Sequence, residues 1–206
     1  LFRDLIGGLQ RDDVFNIILF AGTSDKLSEK SLPANSENLE SALNWIDAQH
    51  GGGGTELLPA LNSALSIPKQ PGYSRNFVLL TDGYVDIETK AFDLVRNHLG
   101  DANFFAFGIG SSVNRFLIEG LARTGMGEPF IVTDTKQSEE AAGRFRTYIS
   151  SPVLTDISVR ADDFHVYDVV PSNYPDLFAE RPLLIFGKWK NAPKGKITIT
   201  GKSAAG

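Results

Sequence analysis

The sequence predicts an α/β fold: a mostly parallel sheet with helices on both faces, followed by a small β segment. From residue 1 to about residue 150, short and almost continuously apolar stretches alternate with stretches of helical period. Apolar strands of this kind are typical of parallel sheets that helices cover on both sides. After residue 150 the helical period disappears, and short stretches alternate apolar and polar residues as half-buried strands do. We therefore expect a first domain over 1–150 and a β segment over 151–206 that packs on it or completes a β-sandwich.

The helices and strands follow from these patterns in chain order. Helical spacing of apolar residues predicts a helix over 1–9, helices that begin at 36 and after 55, and helices over 87–99, 113–124 and 138–149. Apolar runs predict buried strands over 14–20, 76–81, 103–109 and 129–133, and polar residues predict an edge strand over 25–30. We predict that the strands ending at Phe20, Asp82 and Ile109 run parallel in one sheet, with the 25–30 strand antiparallel at an edge. In the β segment, strands are expected over 154–160, 164–170, 183–189 and 196–200.

Composition excludes several classes of function. The 206-residue chain has a net charge of −5 and no long basic run, which argues against nucleic-acid binding because phosphate recognition needs clustered Lys and Arg. Cysteine is absent, so the chain cannot form disulfides, thiolate zinc sites or cysteine nucleophiles. No apolar run approaches the ~20 residues that span a bilayer. We therefore expect no nucleic-acid partner and no membrane span in this chain.

Two segments carry residues that could bind a ligand, and both are expected at the carboxyl edge of the sheet. Four glycines at 51–54 precede Thr55 and a helix, and Asp82 and Gly83 follow the apolar strand over 76–81. Ligands of open α/β sheets bind at this edge, and hydroxyl and carboxylate oxygens there could hold a hard cation. The simpler alternatives are a flexible glycine loop and a turn aspartate whose carboxylate accepts hydrogen bonds from neighbouring amides.

The glycine run also allows an alternative function. Gly-rich turns before a helix expose backbone N–H groups that bind phosphate, so a nucleotide- or phosphate-binding α/β enzyme is the main rival. Against it, no lysine follows the glycines, and Glu56 would face the phosphates. His50, His98 and His165 are far apart in the sequence and have no metal-ligand spacing. Because no acid–base constellation is present either, we predict that the chain is not an enzyme.

Taken together, the two segments resemble the von Willebrand factor A domain. Gly-Gly-Thr at 53–55 precedes a helix, and an apolar strand then ends in Thr-Asp-Gly at 81–83. The family is also suggested by Gly108-Ile109-Gly110, Asn114 and Phe116. Residues 151–156 and 175–178 look like the β region of the inter-α-trypsin inhibitor heavy-chain type. The resemblance implies a Rossmann-like sheet and an adhesion-type role in protein–protein recognition, in an extracellular, cell-surface or periplasmic setting.

The resemblance further implies a metal-ion-dependent adhesion site. In the family, Mg²⁺ or Mn²⁺ is bound by an Asp-x-Ser-x-Ser motif after the first strand, a Thr from a second loop and an Asp from a third. A carboxylate of the protein ligand takes the remaining position. Thr55 matches the second loop and Asp82 the third. Asp86 could support these ligands, although capping the 87–99 helix is its simpler role. The residues adjacent to the ligands would be Gly53, Gly54, Gly83 and Asp86.

The sequence departs from the family at its start. No Asp-x-Ser-x-Ser occurs in it, and residues 1–9 look like the helix that should follow that motif. We therefore expect this chain to lack the first strand and the primary metal loop, so that its metal binding is weak or absent. In the family that strand lies between the strands at 14–20 and 76–81. An upstream segment, a strand swapped from a second copy, or direct pairing of the two flanking strands could fill the gap. A metal-free structural scaffold remains a further alternative.

Overall fold

The computed structural model describes residues 1–49, 54–82, 87–134, 136–150, 152–178, 182–192 and 194–203. The helices are α1 (Phe2–Ile6), α2 (Ser36–Asp47), α3 (Leu57–Ser66), α4 (Glu88–His98), α5 (Arg115–Thr124) and α6 (Gln137–Ile149). The strands of the first part are β1 (Val14–Phe15), β2 (Ile18–Phe20), β3 (Ser24–Lys26), β4 (Leu32–Pro33), β5 (Asn76–Thr81), β6 (Asn103–Ile109) and β7 (Met126–Val132). The later strands are β8 (Pro152–Asp162), β9 (His165–Val170), β10 (Leu177–Phe178), β11 (Phe186–Lys190) and β12 (Lys196–Lys202).

A parallel sheet with the order β5-β6-β7 forms the centre of the molecule. Its middle strand, β6, is buried along almost its whole length. Successive side chains of a strand point to opposite faces, and the packing follows this alternation. Phe104 and Ala106 join one apolar cluster, whereas Phe105 and Phe107 join another. This explains why the segment is continuously apolar in the sequence rather than alternating.

Helices cover both faces of this sheet, as predicted. On one face, α3, α4 and α5 contribute Leu57, Leu61, Val95, Leu117 and Leu121 to the cluster around Phe104. On the other face, α1 and α6 contribute Leu1, Leu5 and Phe145 to the cluster around Phe105. The predicted α/β class with a mostly parallel, helix-covered sheet is therefore confirmed. Within the described ranges, no helix is long and apolar enough to cross a membrane.

The predicted strand over 14–20 is divided into β1 and β2 by Asn16. The Asn16 side-chain amide donates to the Ser28 carbonyl (2.7 Å), and its Oδ1 accepts from the Ile17 amide (2.8 Å). A side chain that bonds neighbouring backbone groups competes with the strand ladder. As a result, β1 pairs with β4, and β2 pairs antiparallel with β3. The antiparallel strand predicted over 25–30 is thus present as β3, but it is shorter.

The prediction that the strand ending at Phe20 joins the parallel sheet is wrong. The strands ending before Asp82 and at Ile109 do run parallel, as β5 and β6. In the described part of the chain, however, β2 pairs with β3 alone and β5 with β6 alone. The physical reason is the tight turn after β2, where the Ala21 amide donates to the Thr23 carbonyl at 2.8 Å and β2 pairs with β3. Phe20 and Leu79 belong to one apolar cluster without being neighbours in a ladder. Direct pairing of the two flanking strands, one of the expected ways to fill the gap, is therefore not found.

Local hydrogen bonds shift several predicted boundaries by a few residues. The first helix ends at Ile6 rather than at residue 9. Asn35 caps α2 by accepting from the Asn38 amide at 2.8 Å. The strand predicted over 129–133 begins earlier, at Met126, because the chain turns directly from α5 into β7. At that turn the Phe104 amide donates to the Gly125 carbonyl at 2.8 Å.

The predicted β segment forms two antiparallel groups, β10-β8-β12 and β11-β9. The strand β10, which sequence patterning missed, pairs with the start of β8. Phe178 of β10 is 1% exposed and packs in the aromatic cluster of the parallel sheet with Phe105, Phe107 and Phe145. The β segment is therefore attached to the core of the first part. The boundary between 150 and 151 stays a prediction.

Candidate functional site

The carboxyl edge of the parallel sheet is formed where β5, β6 and β7 end together. Thr81, the last residue of β5, lies opposite Gly108 of β6, and Gly108 lies opposite Ile131 of β7. Asp82 follows directly and is exposed, whereas Thr81 is buried. The chain therefore carries a solvent-accessible carboxylate at this edge, where the sequence predicted one.

Thr55 lies just before α3, and backbone hydrogen bonds hold this segment in place. The Glu56 amide donates to the Ala21 carbonyl at 2.9 Å, and the Leu57 amide donates to the Thr55 carbonyl at 2.9 Å. Ala21 is the residue after β2, so these bonds fix Thr55 beside the end of that strand. The Thr55 side chain is half-buried.

The first residue of helix α3 packs in the same cluster as a residue of β5. Leu57, two residues after Thr55, packs in the same buried cluster as Leu79, three residues before Asp82. Residues close in sequence to Thr55 and to Asp82, two positions that are far apart in the chain, therefore share one apolar cluster. The assignment of Thr55 and Asp82 as metal ligands stays a prediction.

The residues predicted to lie next to these ligands are only partly described. Gly54 is exposed, and a Cβ atom built on it would meet nothing within 4 Å. Among the described residues, nothing requires glycine at this position. The predicted residues Gly53, Gly83 and Asp86 lie outside the described residues.

A polar link near this edge was not anticipated. The Asn114 side-chain amide donates to Glu88 Oε1 at 2.8 Å, and Asn114 Oδ1 accepts from the Leu117 amide at 3.0 Å. Asn114 therefore caps α5 and ties its start to the start of α4. The sequence signal was available, because an asparagine three residues before an apolar helical residue is a typical cap. The hydrogen bond to Glu88 depends on how α4 and α5 pack against each other, which the sequence pattern does not show.

The oxygens of Thr55 and Asp82 meet the requirements of a divalent cation only in part. Thr55 offers a hydroxyl and Asp82 a carboxylate, which are the hard oxygen ligands that Mg²⁺ and Mn²⁺ prefer. A cation of this kind needs about six oxygens in near-octahedral array. Over the described residues, no group of three or more His, Cys, Asp or Glu side chains could hold a metal ion. The Thr55 hydroxyl and the Asp82 carboxylate are therefore suitable ligand types, but two side chains do not supply the oxygens that the cation needs.

The histidines do not form a second site within the described residues. One ring nitrogen of the exposed His98 lies 3.0 Å from the Leu94 carbonyl of its own helix. The exposed His165 stacks on Tyr167 in β9. His50 lies outside the described residues. Neither of the two described histidines is part of the carboxyl edge.

Comparison with known proteins gives a consistent result. A family profile described as von Willebrand factor type A domain matches residues 2–129. A von Willebrand factor A domain-containing protein of Dictyostelium discoideum is 30% identical over 88% of this chain and 20% of its own length. The mouse von Willebrand factor A domain-containing protein 5B1 is 33% identical over 70% of this chain and 12% of its own length. The chain therefore spans about a fifth or less of these relatives.

A solved structure extends the likeness beyond the region that the profile matches. The structure described as von Willebrand factor type A from Catenulispora acidiphila superposes with a TM-score of 0.70 and 19% identity. The superposition covers 96% of this chain and 50% of that one. At this identity the likeness is one of fold, and it includes the β segment.

Proposed function

This chain belongs to the von Willebrand factor type A domain family, and from that premise we propose that it is a protein-recognition module built around Thr55 and Asp82. Domains of this family generally mediate protein–protein interaction, and its members are generally interaction modules rather than enzymes. They also generally bind a metal ion. The observation that supports the proposal is the exposed Asp82 carboxylate at the carboxyl end of β5, with Thr55 held beside the end of β2 by the Glu56–Ala21 hydrogen bond.

In this proposal, Thr55 and Asp82 each contribute one oxygen ligand to Mg²⁺ or Mn²⁺. A carboxylate of the partner protein completes the coordination, because a hard cation favours negatively charged oxygen. The exposed position of Asp82 leaves that partner free to approach. We propose an adhesion-type role outside the cell or at its surface, since domains of this family are often found there.

The remaining ligands would come from a segment with the pattern Asp-x-Ser-x-Ser. We propose that its strand lies between β2 and β5, in the same polypeptide or from a second copy. The packing supports this position. Leu5 of α1 shares a cluster with Val78 and Leu80 of β5, while Leu57 of α3 shares one with Phe20 and Leu79. Helices thus flank both sides of the proposed position.

Energetics explain why such a strand would matter to folding. Each large apolar side chain that it buried would contribute roughly 1.5–3 kcal/mol. Three or four of them would sum to about 5–10 kcal/mol, which is comparable to the whole stability of a domain. We therefore propose that the 206-residue chain is fully stable only when a strand occupies this position.

Calorimetric titration with Mg²⁺ and Mn²⁺ tests the proposal. The 206-residue chain should bind these ions weakly. The chain joined to an Asp-x-Ser-x-Ser strand should bind them tightly, and Thr55→Ala and Asp82→Ala should each abolish that binding. Asp168→Ala is the matched control, because Asp168 is an exposed aspartate of β9 that pairs with Lys188. Tight binding by the short chain, or a joined chain indifferent to both ligand variants, would show that the wrong residues have been assigned.

A further inference from the structure

Asp176 is a buried acidic residue at the opposite, amino edge of the parallel sheet. It is 4% exposed, and Ser74 Oγ donates a short hydrogen bond to its carboxyl group. Ser74 precedes β5 by two residues, whereas Asp176 immediately precedes β10. The contact therefore joins two segments 102 residues apart in the chain. It links the start of the sheet to the β segment.

The residues around Asp176 are buried in the same junction. Pro175 before it is buried, and Phe178 after it packs with Phe105 and Phe145 in the aromatic cluster. Leu177 pairs with Leu154 at the start of β8. The short stretch over 175–178 is thus where the β segment meets the core. A change that weakens the hydrogen bond of Asp176 should therefore also weaken the attachment of the β segment to the core.

The charged groups that face Asp176 come from both sides of the junction. On the sheet side, Lys69 forms an ion pair with Asp101. On the β-segment side, Lys202 pairs with Asp156 at 2.7 Å. Arg75, next to Ser74, donates instead to the Ala64 carbonyl (3.1 Å) and lies over the Phe77 ring. Each lysine therefore already has an acidic partner, and among the described residues Asp176 accepts its hydrogen bond from the neutral hydroxyl of Ser74.

We propose that the Ser74–Asp176 contact is a pH-sensitive clasp that holds the β segment on the amino edge of the sheet, tight in mild acid and looser as the pH rises. A protonated carboxyl group and a hydroxyl form a neutral hydrogen-bonded pair, which a buried site tolerates. An ionised carboxylate in the same place is poorly solvated, and one hydroxyl donor does not replace its water.

The direction of the effect follows from the protonation equilibrium. Burial raises the pKa of Asp176, while the Ser74 hydrogen bond and Lys69 oppose the rise and Asp101 and Asp156 add to it. A carboxyl group whose pKa is higher in the folded protein contributes stability below its ordinary pKa. That stability is lost as the pH rises through the pKa that the group has in the folded protein. Attachment of the β segment should therefore weaken between mildly acidic and neutral pH.

Hydrogen–deuterium exchange of the stretch over 175–178, corrected for the intrinsic pH dependence of amide exchange, tests the clasp. In the wild-type chain, protection at about pH 4.5 should exceed protection at about pH 7.5 by at least about threefold. Asp176→Asn keeps the neutral shape of the protonated residue. It should therefore give protection at about pH 7.5 equal to or above that of the wild type, with little change with pH.

Two further variants complete the experiment. Ser74→Ala should lower protection, and more so at about pH 7.5, because the hydroxyl donates to the ionised carboxylate. Asp168→Asn removes an exposed carboxylate and should leave the wild-type pH profile unchanged. Wild-type protection that is independent of pH would overturn the proposal. So would a folded Asp176→Asn chain less protected than the wild type at about pH 7.5, or a Ser74→Ala chain that matches the wild type. If Asp176→Asn does not fold, the wild-type profile and Ser74→Ala decide.

Discussion

The Glu56 amide donates a 2.9 Å hydrogen bond to the Ala21 carbonyl, which fixes the start of α3 to the end of β2. This bond does not involve the Thr55 side chain, yet it determines where that side chain lies. Leu57 and Leu79 belong to one buried cluster, and on this basis we propose that the Thr55 hydroxyl and the Asp82 carboxylate share one edge of the fold. The proposed metal site is thus built on backbone hydrogen bonding and apolar packing.

Phe178→Ala should cost about 3–5 kcal/mol in the free energy of unfolding, because it removes a buried aromatic ring and leaves a cavity among Phe105, Phe107 and Phe145. Denaturation in urea measures the change. Val170→Ala in β9 removes an exposed side chain and should stay within about 0.5 kcal/mol of the wild type. Equal effects of the two substitutions would mean that Phe178 does not attach the β segment to the core.

Gly127→Ala should destabilise the chain strongly, by at least about 1–3 kcal/mol. An added Cβ at this position would lie 1.8 Å from the Phe104 carbonyl oxygen, and a backbone atom cannot move aside cheaply. Gly54→Ala is the matched control, since its Cβ would meet nothing within 4 Å. Thermal unfolding should separate the two variants. A Gly127→Ala chain that melts with the wild type would contradict the close packing of β6 and β7.

Asn114→Ala should lower stability by about 0.5–2 kcal/mol, the range for loss of a helix cap, and the loss of the hydrogen bond to Glu88 adds to it. Asn97→Ala, at an exposed position in the last turn of α4, serves as the control. Thermal melting of both variants measures the difference. If Asn97→Ala costs as much as Asn114→Ala, then the link between α4 and α5 contributes nothing of its own.

Nucleotides should not stabilise the chain. The rival phosphate-binding function would require ATP or GTP to bind at the glycine run over 51–54. A ligand that binds the folded state raises the melting temperature. We expect no rise when either nucleotide is added with or without Mg²⁺ in a thermal-shift assay, with inorganic phosphate as the control. A clear, saturable rise in the melting temperature with ATP would favour the rival nucleotide-binding enzyme.

Much of the fold could be predicted because its central strands are apolar on both faces. The segments 76–81 and 103–109 have the predicted bounds, since polar or turn residues flank continuous apolar runs. The division of the 14–20 strand at Asn16 was missed because it depends on hydrogen bonds between the Asn16 side chain and the backbone of Ser28 and Ile17. Strand β10 was missed because a two-residue strand is too short to show a period, and Phe178 is buried in a cluster with residues far away in the sequence, such as Phe105 and Phe145.

The candidate site was predictable in part. The motifs at 53–55 and 81–83 indicated that Thr55 and Asp82 would share the carboxyl edge. The structure has Asp82 directly after β5 and holds Thr55 beside the end of β2, and their joint role stays a prediction. The position of β2 relative to β5 was not predictable from either strand, because pairing depends on what lies between them. The Ser74–Asp176 contact was not predictable, since Ser74 belongs to no motif and the contact joins segments 102 residues apart.

The most direct test of the central claim uses Mn²⁺ as a paramagnetic probe in nuclear magnetic resonance. In the chain joined to an Asp-x-Ser-x-Ser strand, substoichiometric Mn²⁺ should broaden the amide signals of Thr55, Asp82 and Gly108 first, because we propose that all three lie next to the bound ion. Signals at the opposite edge, such as those of Ser74 and Asp176, should stay sharp, and Asp82→Ala should abolish the selective broadening. Broadening centred elsewhere, or unchanged by Asp82→Ala, would contradict the account.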